Sequence, residues 1–180
     1  MKKYFLLLLL TSFACFAQED IKFKKGVNVV ENKKAPNFKT PKSILFTFEG
    51  DTHLINYYLI LTKKLKKKAR KNKITVGFKY NLQSVNPLND DLSSIPKSKE
   101  DDSDYVNTCI VSCSFPETPK AWGDFKYVKK RKTKHYVNFK MVDNKNKEVF
   151  STKFDVHALY TIATESKKTS EMFFNLISAL

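Results

Sequence analysis

Apolar residues recur with two different periods along this chain. SILFTF, from Ser43 to Phe48, is a compact apolar run bounded by Pro41 and Gly50, and it predicts a strand. Leu54, Tyr58, Leu61 and Leu65 then repeat at four, three and four, which is one side of a helix; Ile55 and Leu59 widen that stripe. Asp51 or Thr52 can cap it, because either side chain accepts from the free amides of a first turn. Ile74, Val76, Phe78 and Tyr80 alternate with polar or small residues, so the segment Ile74 to Leu82 predicts a second strand. Further strands are expected over Tyr105–Phe115, Asp124–Lys130, His135–Val142 and Glu148–Val156, the last two joined by the turn-rich DNKNK. Phe173, Leu176, Ile177 and Leu180 repeat at three, four and seven and predict a closing helix that begins near Ser166.

This order implies an α+β fold: a mostly antiparallel sheet of about five or six strands with two amphipathic helices packed on one face. The first strand–helix–strand unit can pair in parallel. Between the elements, Ser84 to Asp104 is a long connection with Pro87, Pro96 and the acidic residues Asp90, Asp91, Glu100, Asp101, Asp102 and Asp104. It lacks the glycine and distal glutamate of a calcium loop, and is expected to be a solvated acidic loop lying against a basic surface. FPETPKAWGD is expected to be a second loop, with Trp122 a candidate to pack back on the sheet.

The chain's start changes the picture. Lys2 and Lys3, the apolar run Phe5–Leu10 and the small residues Ser12, Ala14, Cys15 and Ala17 have the layout of a secretory signal peptide. The apolar run is too short to span a bilayer. Cleavage after Ala17 is favoured, with lipidation of Cys15 as the alternative. The expected organisation is residues 1–17 as signal, 18–42 as a flexible polar lead-in with a short strand over Val27–Val30, and 43–180 as a single domain. The expected location is periplasmic or secreted, with no specific nucleic acid as partner.

Charge sharpens the question of partners. The formal net charge is +15, nearly all of it from lysine, since only Arg70 and Arg131 are arginines. A charge of this size attracts anionic polymers or membrane surfaces over roughly 8–10 Å at physiological salt. Lysine lacks the bidentate fork of arginine, which speaks against specific phosphate or base reading. The candidate anion-binding residues are Lys63, Lys64, Lys66, Lys67, Lys68, Arg70, Lys71 and Lys73 at the helix end, and Lys129, Lys130, Arg131, Lys132 and Lys134 at an expected hairpin tip. The plainer alternative is a solvated basic face. The leading expectation is contact with an envelope protein partner, with Trp122 and Phe125 or a sheet edge as candidates; binding of anionic polysaccharide or lipid headgroups by the lysine clusters is the alternative.

Catalytic chemistry is sparse. The few glycines form no phosphate cradle, and there is no GxSxG or HExxH motif. Asp51 and His53 read as a cap and a surface imidazole, and His135 and His157 as surface residues flanking the hairpin. Cys109 and Cys113 share one face of a strand roughly 13 Å apart, beyond the ~7 Å a disulfide tolerates, and are expected as buried thiols. No enzyme activity, cofactor or metal is expected.

Three stretches, SILFTF, DSDYVNTCIVS and VNFKMVDNKNKEVFSTKF, give the region from Lys42 to Leu180 a resemblance to the small envelope domain shared by LpoB, CsgG and the N-terminal part of TolB. In that group a strand leads into a long helix and a second strand, a further strand opens the middle of the sheet, a hairpin turns at an aspartate, and a helix closes the domain. The connection Ser84–Asp104 stands where the group often carries a helix, and the usual hairpin glycine is absent, so no binding residue carries over. The resemblance implies a non-enzymatic envelope accessory role.

Overall fold

A computed structural model describes residues 26–83, 96, 104–114, 133–157 and 161–179. Six strands and two α-helices follow one another as β1 (Val27–Lys34), β2 (Ser43–Asp51), α1 (Ile55–Lys71), β3 (Thr75–Gln83), β4 (Asn107–Ser114), β5 (Thr133–Asp143), β6 (Glu148–His157) and α2 (Ile162–Ser178). They form one mixed sheet in the order β1-β6-β5-β4-β2-β3. β2 pairs in parallel with both β3 and β4, and the other neighbours are antiparallel. The expected α+β class and the parallel β2–α1–β3 unit are therefore present.

Both helices bury their apolar stripes against one face of the sheet. Tyr58, Leu61 and Leu65 of α1 are fully buried, joined by Ala69, with Leu54 partly buried beside them. They meet alternate residues of the strands: Ile44, Phe46, Phe48, Cys109, Val111, Val137, Phe139, Met141, Phe150 and Phe154. Phe173 of α2 sits at the centre, stacked on Phe139 at 4.5 Å between ring centroids and edge-on to Phe46 at 5.6 Å. Phe150 and Phe174 flank the same ring.

The ends of the elements follow local chemistry. Asp51 accepts from the His53 N–H at 2.8 Å. It thereby caps a short 3-10 turn, Thr52–Leu54, that feeds α1, so the cap acts one turn earlier than the helix itself. At the β5–β6 turn, Asp143 accepts from the N–H groups of Lys145 and Lys147, each at 2.9 Å. Asn146 takes φ 58° there, the left-handed conformation that asparagine tolerates and that glycine would otherwise supply.

Three expectations need correction. α2 starts at Ile162, not near Ser166, with Thr161 as its N-cap. Its first turns bury Glu165, Ser166, Thr169 and Ser170, polar residues that no apolar period could reveal. The short strand expected over Val27–Val30 is present but runs on to Lys34, as an edge strand paired with β6 in place of a flexible lead-in. Its register shifts between Val29 and Glu31, leaving Val30 as a bulge 50% exposed, which hides the strand's alternation and blunts the edge. Phe38 then stacks on Phe150, and the Thr40 hydroxyl donates to the Ile177 carbonyl at 2.8 Å, tying this segment to α2. Finally, His135 is buried at 5% exposure, edge-on to Tyr57 at 5.1 Å, and is not a surface residue.

The expected strand Asp124–Lys130, the loop carrying Trp122, the segment 1–17 and nearly all of the acidic connection lie outside the described residues. Among the described residues no helix is long and apolar enough to cross a membrane.

Candidate functional site

The basic end of α1 is built by two requirements that the sequence meets together. Leu61, Leu65 and Ala69 hold the inner face, so the residues between them are free to be charged. Lys68, Arg70 and Lys71 occupy the last turn, where the helix dipole favours cations. The helix then closes in a Schellman motif: Ile74 N–H donates to the Ala69 carbonyl at 3.0 Å and Lys73 N–H to the Arg70 carbonyl at 3.3 Å. Lys73 takes the left-handed position at φ 57°, and buried Ile74 packs beside Ala69 in the core. This closure fixes the direction of the last helical turn and hence of its charges.

The charges divide into two stripes. Lys64, Lys67, Lys68 and Lys71 repeat at three, four and seven, so they share a face; Lys63, Lys66 and Arg70 repeat at three and seven on the neighbouring exposed face. The first stripe borders α2. There Lys64, Lys67, Lys68 and Lys71 line a groove of about 230 Å³ with Lys167, Ser170 and Glu171 of α2. Five lysines and one glutamate thus line it. Lys68 Nζ lies 3.0 Å from Glu171 Oε1, and both side chains are about one-third exposed or less, 27% and 35%. This bridge orients Lys68 across the helix junction. Ser170 is buried and its hydroxyl donates to the Ser166 carbonyl at 2.8 Å, so it serves its own helix.

Of the residues singled out in sequence, the structure gathers Lys64, Lys67, Lys68 and Lys71 in the groove. Lys63, Lys66 and Arg70 stand outside it, and Lys73 belongs to the closing turn. Lys129, Lys130, Arg131, Lys132, Trp122 and Phe125 lie outside the described residues; Lys134 falls on β5, its side chain undescribed. Sequence reasoning missed Lys167 and Glu171, because only the packing of α2 on α1 brings them to the site. The split of the α1 lysines was legible, since their spacing already forms a helical face.

Among the other described polar groups, one tyrosine hydroxyl joins two strands. Tyr58 Oη donates to the Glu49 carbonyl at 2.8 Å and accepts from the Cys113 N–H at 3.1 Å. Burial raises the pKa of this hydroxyl. Cys109 is buried as expected whereas Cys113 is only half-buried; both are free, and desolvation pushes the Cys113 thiol up to about 12 and the Cys109 thiol higher still. Tyr57, buried with the Cys113 thiol and the Glu165 carboxyl nearby, is raised well above the usual tyrosine value. His53 is exposed, 4.0 Å from Asp51. A hollow of about 510 Å³ at the carboxyl ends of β2 and β3 is lined by Glu49, Gly50, Asp51, Asn81 and Gln83, an acidic and amide surface. Among the described residues no group of three or more His, Cys, Asp or Glu is placed to hold a metal ion.

No family model matches the sequence, and no curated protein matches it. Among solved structures the chain is similar to the PelC dodecamer from Paraburkholderia phytofirmans, at 8% identity and a TM-score of 0.49 over 86% of this chain and 99% of that one. A point variant of that PelC is similar at 9% identity and a TM-score of 0.46, over 85% and 98% of the two chains.

Proposed function

We propose that this chain is an exported, non-enzymatic envelope binding module that holds an anionic polymer or lipid surface through the basic face of α1. One observation carries the reading: four lysines of α1 and Lys167 of α2 converge on a single inter-helix groove beside a second exposed basic stripe. A merely solvated helix end needs charge on its outer side; it does not need a row of lysines bordering a neighbouring helix that adds another, where like charges repel one another. An anionic partner relieves that repulsion. The signal-like start supports export, and the resemblance of the Lys42–Leu180 region supports an envelope role. Contact with an envelope protein through Trp122 and Phe125, residues outside the described set, is the other reading.

Retention on immobilised heparin tests the reading. The expected result is elution well above about 0.15 M NaCl, where isolated exposed charges are already screened. Release below that concentration would end the anionic reading and return attention to a protein partner.

A further inference from the structure

We propose that the groove between α1 and α2 is a discrete seat for a phosphate-monoester or diphosphate group, with Glu171 as the internal counter-ion that the ligand replaces on Lys68. This rests on the anion-binding reading and narrows it from a diffuse surface to one place. The first argument is charge density. Lys64, Lys67, Lys68, Lys71 and Lys167 against Glu171 leave a net +4 around a groove of about 230 Å³. A uronate or sulfate ester brings a single negative charge. A phosphate monoester brings about −1.5 to −2 near neutrality, and a diphosphate brings more within a similar span.

Size gives the second argument. Pockets for whole organic ligands run to roughly 300–1,000 Å³. A groove smaller than that takes a head group, with the rest of the molecule left outside. The third argument is the Lys68–Glu171 bridge at 3.0 Å. It holds Lys68 at the junction of the two helices, already positioned, with a carboxylate where a phosphoryl oxygen would sit. Lysines act as point charges without a fork, so the groove ranks ligands by charge and compactness rather than by shape.

Two triple variants of the full chain separate the seat from the diffuse surface, using inorganic pyrophosphate as the calorimetric probe at about 0.15 M NaCl. Lys64→Gln/Lys67→Gln/Lys71→Gln removes three of the five positive charges that line the groove. Lys63→Gln/Lys66→Gln/Arg70→Gln removes the same charge from the neighbouring stripe. Glutamine matches lysine in helix propensity, so both variants keep α1. The groove variant is expected to lose about tenfold or more in pyrophosphate affinity, the combined effect of three charge contacts, and the control less than about threefold. Glu171→Gln is expected to bind more tightly than the native chain. Equal losses in the two triples, or no pyrophosphate binding by a native chain that heparin retains, overturn the seat and leave the diffuse surface standing. Failure on heparin overturns both. Phosphatidic-acid vesicles that pyrophosphate displaces would identify a lipid headgroup as the source. Pyrophosphate binding without vesicle binding would identify a free phosphate.

Discussion

Tyr58→Phe removes one oxygen and tests how the sheet and α1 are joined. The hydroxyl stands between two strands at the end of their ladder: the last β2–β4 partners are Glu49 and Ser112, and the hydroxyl bonds the Glu49 carbonyl and the next amide, that of Cys113. The ring itself packs on Phe48 at 4.8 Å and would stay in place in the variant. Each hydrogen bond contributes about 1 kcal/mol net, and a buried amide left without a partner costs about 1–3 kcal/mol. The two bonds together give an expected loss of about 2 kcal/mol, which for a chain of this size is a fall in Tm of about 4–8 °C. Thermal and urea unfolding followed by circular dichroism reads this directly. Tyr80→Phe is the internal control: its hydroxyl meets only Thr62, at 2.8 Å, nearer the edge of the sheet, and the expected loss is under about 1 kcal/mol. A Tyr58→Phe loss below about 0.5 kcal/mol, or equal losses in the two variants, would refute the bridging role.

Other perturbations address the core, one backbone position and the thiols. Phe173→Ala opens a cavity among Phe46, Phe139, Phe150 and Phe174 and is expected to cost about 3–5 kcal/mol in urea unfolding; a cost below about 2 kcal/mol would mean the ring is not central. Gly50→Ala places a Cβ 3.3 Å from Leu54 Cδ1 at φ 134°, a conformation L-residues rarely adopt, and is expected to lower stability by about 1–3 kcal/mol; an unchanged urea midpoint would contradict it. Cys113, with its pKa pushed up to about 12, and Cys109, raised further, are protonated at neutral pH and should resist a thiol reagent in the native protein but react in urea. Because both folded values lie above the unfolded one, their contribution to stability is complete below the ordinary thiol range of about 8.5 and declines as pH rises toward 12. The urea midpoint should therefore be lower at about pH 10.5 than at pH 8, and equal midpoints would contradict the burial of these thiols.

How much of this was legible depends on which physical signal each element carries. α1 and β3 announce themselves because their apolar residues recur on one face, as Leu61 and Leu65 do in α1, and β2 because it is apolar on both, with Leu45 buried opposite Ile44 and Phe46. β1 shows only its first half, Val27–Val30, because the bulge at Val30 breaks its alternation. The start of α2 is silent for a different reason: Glu165, Ser166, Thr169 and Ser170 are buried polar residues, and burial of polar groups depends on partners that only packing supplies. His135 is the same lesson in one residue, since Tyr57 is far from it in sequence and against it in space. The candidate site was half visible. The i, i+3, i+4, i+7 spacing of Lys64, Lys67, Lys68 and Lys71 defines a face from sequence alone, whereas Lys167 and Glu171 join it through the helix–helix contact.

The salt dependence of affinity for a soluble anionic polysaccharide tests the proposed role most directly. Titration between about 0.05 and 0.3 M NaCl should give a slope of log Kobs on log [NaCl] of roughly −3 or steeper, as about five lysine contacts release their counter-ions. A slope near zero, or no binding at the lowest salt, would contradict it.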